Sequence, residues 1–434
     1  MMVEDEHPTS LHRNYTLAVL NQVFIRLGMS FTHPSMVLAV LVRQMGGSNT
    51  LVGLLPALRF GGWFLPQFLV GGAIQHLPRK LPFYVVMDSV RVVIYTFLGL
   101  LLFIMGASDP SLFLAIFFVL FTISRLTTGS SAVVRLDLIG KVIPATRRAS
   151  FMAARGLYGG LAGFAAGFVV GYILDTQDFL GFPRHFALLF LIAAASFAAS
   201  VLVFSRVYEP PMPGNPPRIS VRQQLSRVPT LLQQDPNYRR YVVVRLLLNM
   251  VRIADPFYVI YALEVLHAPV AMVGTYLSTL TLASILSNPL WNRVSQRRGI
   301  KTTLLTSSFL TALTPLLAVG MPFLLRSLGL GNNHPWSAYV FGLVFAAAGL
   351  SQSGRGISLM TILLNISPPE ERPSYIGFVN TLLGIESFLP VFAGGVVDTI
   401  GFVPVFLAAA GFVLLGSSMA LKLRSEPVAI GQEG

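Results

Sequence analysis

Twelve long apolar runs dominate this 434-residue chain, and they fix its solvent. A run of about 20 apolar residues crosses a bilayer as a helix, and an isolated strand cannot satisfy its backbone in lipid. The runs fall at 17–42, 50–74, 83–105, 111–136, 151–175, 186–205, 241–264, 271–291, 302–325, 338–366, 374–398 and 402–421. Charged residues make up only 11% of the chain, against about 25% in a soluble domain. The sequence therefore reads as an all-α membrane protein of twelve transmembrane helices. The first 16 residues hold Glu4, Asp5 and Glu6 and no apolar core, so no cleavable signal is expected and the first span serves as the insertion signal.

Lysine and arginine set the expected orientation. With the N-terminus inside, the inner segments hold 19 of them: Arg13, Arg79, Lys80, Lys141, Arg147, Arg148, Arg206, Arg218, Arg222, Arg227, Arg239, Arg240, Arg293, Arg297, Arg298, Lys301, Arg372, Lys422 and Arg424. The outer loops hold only Arg43, Arg184 and Arg326. Basic loops stay cytoplasmic, so both termini are expected inside, in a plasma or cell inner membrane. The net charge of +13 is then loop charge at a membrane face, and no nucleic-acid partner is expected. The absence of cysteine excludes disulfides and thiolate metal sites. His33, His76, His185, His267 and His334 are scattered, with no pair at ligand spacing. No glycine-rich phosphate loop and no Ser/His/Asp constellation can be assigned. The expectation is a gradient-driven protein without cofactor or metal, not an enzyme.

A short segment is written twice, 221 residues apart. Gly71-Gly72-Ala73-Ile74-Gln75-His76-Leu77-Pro78-Arg79-Lys80 parallels Asn292-Arg293-Val294-Ser295-Gln296-Arg297-Arg298-Gly299-Ile300-Lys301. Each follows an apolar run, places Gln fifth and ends in basic residues. Three weaker parallels keep the order at offsets of 220 to 224: Pro144 to Met152 with Pro368 to Ile376, Gly171 to Asp175 with Gly394 to Asp398, and Gly181 to Phe186 with Gly401 to Phe406. Together they indicate two repeats, as two six-helix pseudo-symmetric bundles. The expected division is an N-terminal half at 1–205, a central loop at 206–240 and a C-terminal half at 241–434. In the loop, Val221, Leu225, Val228, Leu231 and Leu232 recur at helical spacing beside Arg222 and Arg227, which fits a short amphipathic helix on the membrane surface or a disordered linker.

On these features the whole chain resembles the major facilitator superfamily of transporters. The repeated loops resemble the family's G-x-L-a-D-r-x-G-r-R pattern, with Gly71, Arg79 and Lys80 in the first copy and Arg297, Gly299 and Lys301 in the second. Both copies carry Gln, at Gln75 and Gln296, where the family has an aspartate that takes part in a charge-relay latch. Gln can bond but bears no charge, which speaks against a charged latch and leaves a hydrogen-bonded one open. Arg125-Leu126-Thr127-Thr128-Gly129 resembles an R-x-x-x-G motif whose arginine is linked to proton coupling. Gly159, Gly163, Gly167 and Gly171 lie four apart on the fifth span. They fit close helix packing, or, more weakly, a motif of proton-driven exporters from which Phe164 and Phe168 depart.

Nine arginines fall within the spans: Arg26, Arg59, Arg91, Arg125, Arg135, Arg155, Arg245, Arg252 and Arg355. Each must snorkel, pair or face water, because a charge in lipid costs ~2.5 kcal/mol or more. Asp88 and Arg91, three apart, are expected to form a structural ion pair. Arg135, Arg155 and Arg245 lie near the inner surface and are expected to snorkel or pair. Arg26 shares a face with Gln22, Ser30 and His33, and Arg252 with Arg245 and Asn249, with Asp255 close by. In the resembled family the first and seventh helices line the central cavity. The candidate solute pathway is Gln22, Arg26, His33, Arg59, Asn249, Arg252, Arg355 and Asn380. For Arg59 and Arg355 a structural bond to backbone carbonyls is the competing role. Candidate proton-coupling residues are Arg125, Asp255 and Glu386, with Glu386 foremost because no arginine stands at helical spacing from it on its own helix.

The sequence thus reads as a monomeric secondary transporter of a small solute, with membrane lipid as its other partner. The arginine surplus suggests an organic anion, since guanidinium grips carboxylate or phosphate with two prongs. A proton-driven multidrug exporter is the rival reading, and a non-transporting scramblase or sensor of the same fold a third.

Overall fold

Helices account for nearly all of the described residues. The computed structural model describes residues 8–73, 77–176, 180–210, 235–330, 334–368 and 372–425. Among them run twelve helical spans. The first comprises Pro8–Phe31, a π-helical turn Pro34–Leu38 and Ala39–Gln44. The second to sixth are Asn49–Ala73, Leu81–Met105, Pro110–Val142, Arg148–Asp175 and Arg184–Phe204. The seventh comprises Pro236–Asn249, a 3₁₀ turn Met250–Ile253 and Phe257–Glu264. The eighth to tenth are Met272–Arg298, Ile300–Ser327 and Pro335–Ile366. The eleventh comprises Arg372–Glu386 and Leu389–Ile400, and the twelfth is Phe402–Ala420. Nine of these are long and apolar enough to cross a membrane. The second, eighth and tenth are diluted by polar residues such as Arg59, Asn288 and Arg355. The amphipathic segment expected around 221–232 lies outside the described residues, as does Gln75.

The third span shows why the solvent must be apolar. Val93 and Ile104 are 67% and 81% exposed, whereas Asp88 and Arg91 are each 1% exposed. Water would reverse that arrangement; lipid requires it. Asp88 and Arg91 form the ion pair their spacing predicts, at 3.0 Å. Ser131 donates to the other Asp88 oxygen at 2.8 Å, and the Arg91 guanidinium lies 3.9 Å from the Phe197 ring centre. The pair is therefore bonded on both sides, which is what a buried charge needs.

The chain divides into two compact units. One comprises residues 1–218 with Pro269–Ser278, the other 219–268 with Thr279–Gly434. Within the first unit the first span packs on the fifth and sixth, and the third on the fourth and sixth. Within the second the seventh packs on the eleventh and twelfth, and the ninth on the tenth and twelfth. The same four pairings thus occur in both, six spans on. Aromatic residues fill the two cores: Tyr84 against Phe204 with ring centres 4.7 Å apart, and Tyr238 against Tyr375 at 4.2 Å.

Each unit is also closed by one asparagine. Asn14 donates its side-chain amide to the Tyr208 carbonyl at 3.2 Å and accepts the Tyr208 N–H at 3.0 Å. Asn237 does the same with Arg424, at 3.1 and 3.0 Å. Asn14 and Asn237 are 223 residues apart, within the offsets of the sequence repeat.

Candidate functional site

Three spans are broken part-way, and the breaks carry several of the residues expected in the pathway. Proline lacks the donor a helix needs and pushes the residue before it out of helical geometry. His33 is accordingly extended before Pro34, at φ −66° and ψ 117°. Asp255 precedes Pro256 in the seventh span, 222 residues on, so each unit is broken at the corresponding place in its first span. The eleventh span breaks directly after Glu386, ahead of Pro390.

In the second unit these breaks gather charge. Arg252 and Asp255 stand at the break of the seventh span, with Asn249 at its start. Arg355 of the tenth span donates to the Leu248 carbonyl at 2.8 Å, a backbone bond at the edge of the break. Arg252 lies within electrostatic reach of Asp255, Glu386 and Arg245, and Arg355 within reach of Arg252, Asp255, Arg245 and Glu386. Both carboxylate oxygens of Glu386 are buried without a hydrogen bond of standard geometry, although the Asn249 amide lies beside them. The Tyr258 hydroxyl and Arg245 Nε are buried and unbonded nearby in sequence. Asn380 is half-buried, six residues before Glu386. Three cations thus face two acids here. Arg245 is part of the group, in keeping with the helix face it shares with Arg252 and Asn249.

The first unit gathers arginines without acids. Arg26 is solvent-accessible, and its stem runs beside Gly159 of the fifth span, where an added Cβ would lie 3.1 Å from Arg26 Cγ and 3.6 Å from Gln22 Cγ. Arg135 of the fourth span lies in electrostatic reach of Arg26, and Arg155 of the fifth in reach of both. None of the three makes a hydrogen bond or ion pair to a described residue, so pairing does not account for Arg135 and Arg155. Gln22 is 6% exposed and its Oε1 is unbonded. His33 Nδ1 is likewise buried without a bond, with Arg59 in electrostatic reach. Arg125 stands apart from this group. It donates to the Tyr95 hydroxyl at 2.8 Å, and its guanidinium lies 5.0 Å from the Phe121 ring centre.

The glycine stripe of the fifth span serves close approach. Gly159 admits Arg26 and Gln22, while Gly167 and Gly171 lie against Gly274 and Ser278 at the head of the eighth span. Ser278 there donates to the Phe164 carbonyl at 3.0 Å.

Residues 247–433 match the Major Facilitator Superfamily family model. The structure of the whole chain resembles a mutant of the nucleoside transporter NupG, with a TM-score of 0.70 at 15% identity over 95% of this chain and 99% of that one. A bacterial homologue of the iron transporter ferroportin gives 0.70 at 14%, over 95% and 98%, and a D-xylose-proton symporter 0.70 at 12%, over 97% and 99%. At such identities the likeness is one of fold. No curated protein matches the chain by sequence. The family's sequence signature thus lies in the C-terminal part of the chain, and the fold of the whole is like that of these solved transporters.

The segment repeated in the sequence takes a different form in each copy. In the second copy only Gly299 separates the eighth and ninth spans, at φ 85° and ψ 160°, a conformation open to glycine and strained for other residues. Lys301 donates to the Leu421 carbonyl at 2.7 Å, while Arg297 is exposed. Gln296 is exposed and makes one long bond, 3.4 Å, to Asn292 of its own helix. In the first copy Gly71 lies in the second span, Arg79 is exposed and Lys80 is buried. Lys80 binds Asp137 at 2.9 Å, and Lys141 binds both Asp137 and Glu209, at 3.3 and 3.1 Å. Charge is therefore present beside this loop, supplied by acids far from position 75 in sequence. Asp137, Lys141 and Glu209 were not among the expected site residues.

Proposed function

We propose that this chain carries a small organic anion across the plasma membrane by alternating access, as a monomer, with both termini cytoplasmic and with proton movement through Glu386. The observation that carries the reading is the cluster at the broken seventh and eleventh spans. Arg245, Arg252 and Arg355 there exceed Asp255 and Glu386 by one charge, which an anionic solute would neutralise. Glu386 supports the proton step because its oxygens are buried and hold no hydrogen bond of standard geometry, with the Asn249 amide beside them, so a proton can be gained or lost at little cost in fixed bonds. Asp255 is the secondary proton candidate, and Arg125, bonded to Tyr95, acts through helix positioning. Gln22, Arg26, His33 and Arg59 supply the pathway in the first unit, and Asn249 and Asn380 in the second. The loops at Gly71 to Lys80 and Gln296 to Lys301 serve as hinges. Solute must bind the two conformations with different affinity to drive the switch.

The test is flux in proteoliposomes with an organic-anion panel, with and without an imposed pH gradient. The expected result is anion uptake stimulated by the gradient, and Glu386→Gln should abolish the stimulation while leaving counterflow exchange. Stimulation that survives the substitution would remove Glu386 from the proton path. Uptake confined to cations or neutral solutes would remove the anion.

A further inference from the structure

We infer that Arg26, Arg135 and Arg155 form a binding site for an oxyanion of charge −2 or greater within the first unit. The inference deepens the anion reading above by naming the substrate's charge class and a second place where it is held.

Three different spans bring these residues together. Arg135 lies seven residues before the end of the fourth span, and Arg155 seven residues after the start of the fifth, so the turn between the spans sets both at matching height. Each is about 10 Å along its helix from that turn. Arg26 comes from the first span and can approach because position 159 is bare. The guanidiniums are in mutual electrostatic reach, and no described carboxylate is bonded to any of them. The nearby acids are already engaged. Asp88 is held by Arg91 and Ser131, and Asp137 by Lys80 and Lys141.

Like charges so gathered repel, and the repulsion grows as water is excluded. A structural role would give each arginine a carboxylate or carbonyl, as Arg91 and Arg355 have. These three have neither. Arg135 Nε is buried and unbonded, and so is Oε1 of Gln22, which is held beside Arg26. A monoanion would leave most of the repulsion in place. A dianion offers at least three acceptor oxygens to three forked donors and removes most of the charge. Phosphate, a phosphate monoester or a small dicarboxylate has this chemistry. The phosphate could belong to a free solute or to a lipid headgroup.

The experiment is binding to the purified full-length protein in detergent, by calorimetry and thermal unfolding. The probes are inorganic phosphate at pH 8, malonate, and formate as the monovalent control. Phosphate and malonate should bind and raise the melting temperature, with formate at least about tenfold weaker. Arg26→Gln, Arg135→Gln and Arg155→Gln should each weaken phosphate binding by roughly tenfold or more. Without anion, each variant should melt at or above the parent temperature, because a like-charge repulsion has been removed. A structural arginine would give the opposite sign. Competition by phosphatidic acid micelles, but not by phosphatidylcholine, would assign the site to lipid headgroups; phosphate binding unchanged by either would assign it to soluble anions. Equal binding of formate and phosphate, or phosphate binding indifferent to all three substitutions, would overturn the site. Because no flux is measured, loss of this site and failure of the proton-coupled transport reading remain separate results.

Discussion

Glu209 holds the start of the third span by accepting the backbone N–H of Lys80 with both carboxylate oxygens, at 3.0 and 2.9 Å. The same carboxylate accepts the Leu81 N–H at 2.9 Å and the Lys141 ammonium at 3.1 Å. One acid thus caps a helix and balances a lysine, 129 positions from the loop it anchors. Glu209→Ala leaves Lys141 short of a counter-ion and two N–H groups unbonded. The expected destabilisation is about 3–5 kcal/mol, read as a large drop in melting temperature. Glu209→Gln keeps an acceptor and should lose less. Equal melting of the alanine variant and the parent would remove Glu209 from the role of anchor.

The Asp88 and Arg91 pair offers a test by order of substitution. Arg91→Met alone strands a buried carboxylate and should cost about 3–5 kcal/mol, whereas Asp88→Leu with Arg91→Met should recover much of it. Thermal unfolding of the two singles and the double closes the cycle. Additive losses would show that the two side chains act independently.

Gly274 meets backbone directly: an added Cβ would fall on the Gly171 N and Cα and the Gly167 carbonyl. Backbone cannot rotate aside, so Gly274→Ala should cost about 1–3 kcal/mol through overpacking. Gly342→Ala, with open space around its would-be Cβ, is the matched control and should be neutral or better. Indistinguishable melting curves for the two variants would contradict the close approach.

Gly299→Ala tests the one-residue connection. A φ of 85° strains any side chain by about 1–3 kcal/mol. The variant should unfold at lower temperature. If it also slows flux without weakening solute binding, the strain reaches the moving state as well. An alanine variant as stable as the parent would mean that the junction rearranges freely.

Much of this was legible in the sequence, for a physical reason. Lipid makes apolar length a near-complete signal, so all twelve spans could be placed, and helical spacing alone paired Asp88 with Arg91. The breaks were half-legible. Pro34, Pro256 and Pro390 mark them, but proline occurs in intact spans too, as at Pro56, Pro289 and Pro315. The arginine group of the first unit was not legible. Its members lie on three spans, and depth alone suggested that Arg135 and Arg155 would snorkel or pair. Glu209 was invisible for a related reason: its bonds reach across 68 and 129 positions to segments with no shared pattern.

The paired asparagines have a consequence for synthesis. Asn14 and Asn237 each wait for a residue made about 190 positions later, Tyr208 and Arg424. Neither half can be sealed until its sixth span has left the ribosome, so every earlier intermediate is open-ended and exposed to chaperones. Once sealed, each half keeps its clasp within its own stretch of polypeptide. A protease cut between positions 210 and 235 would sever the chain and leave both clasps fastened.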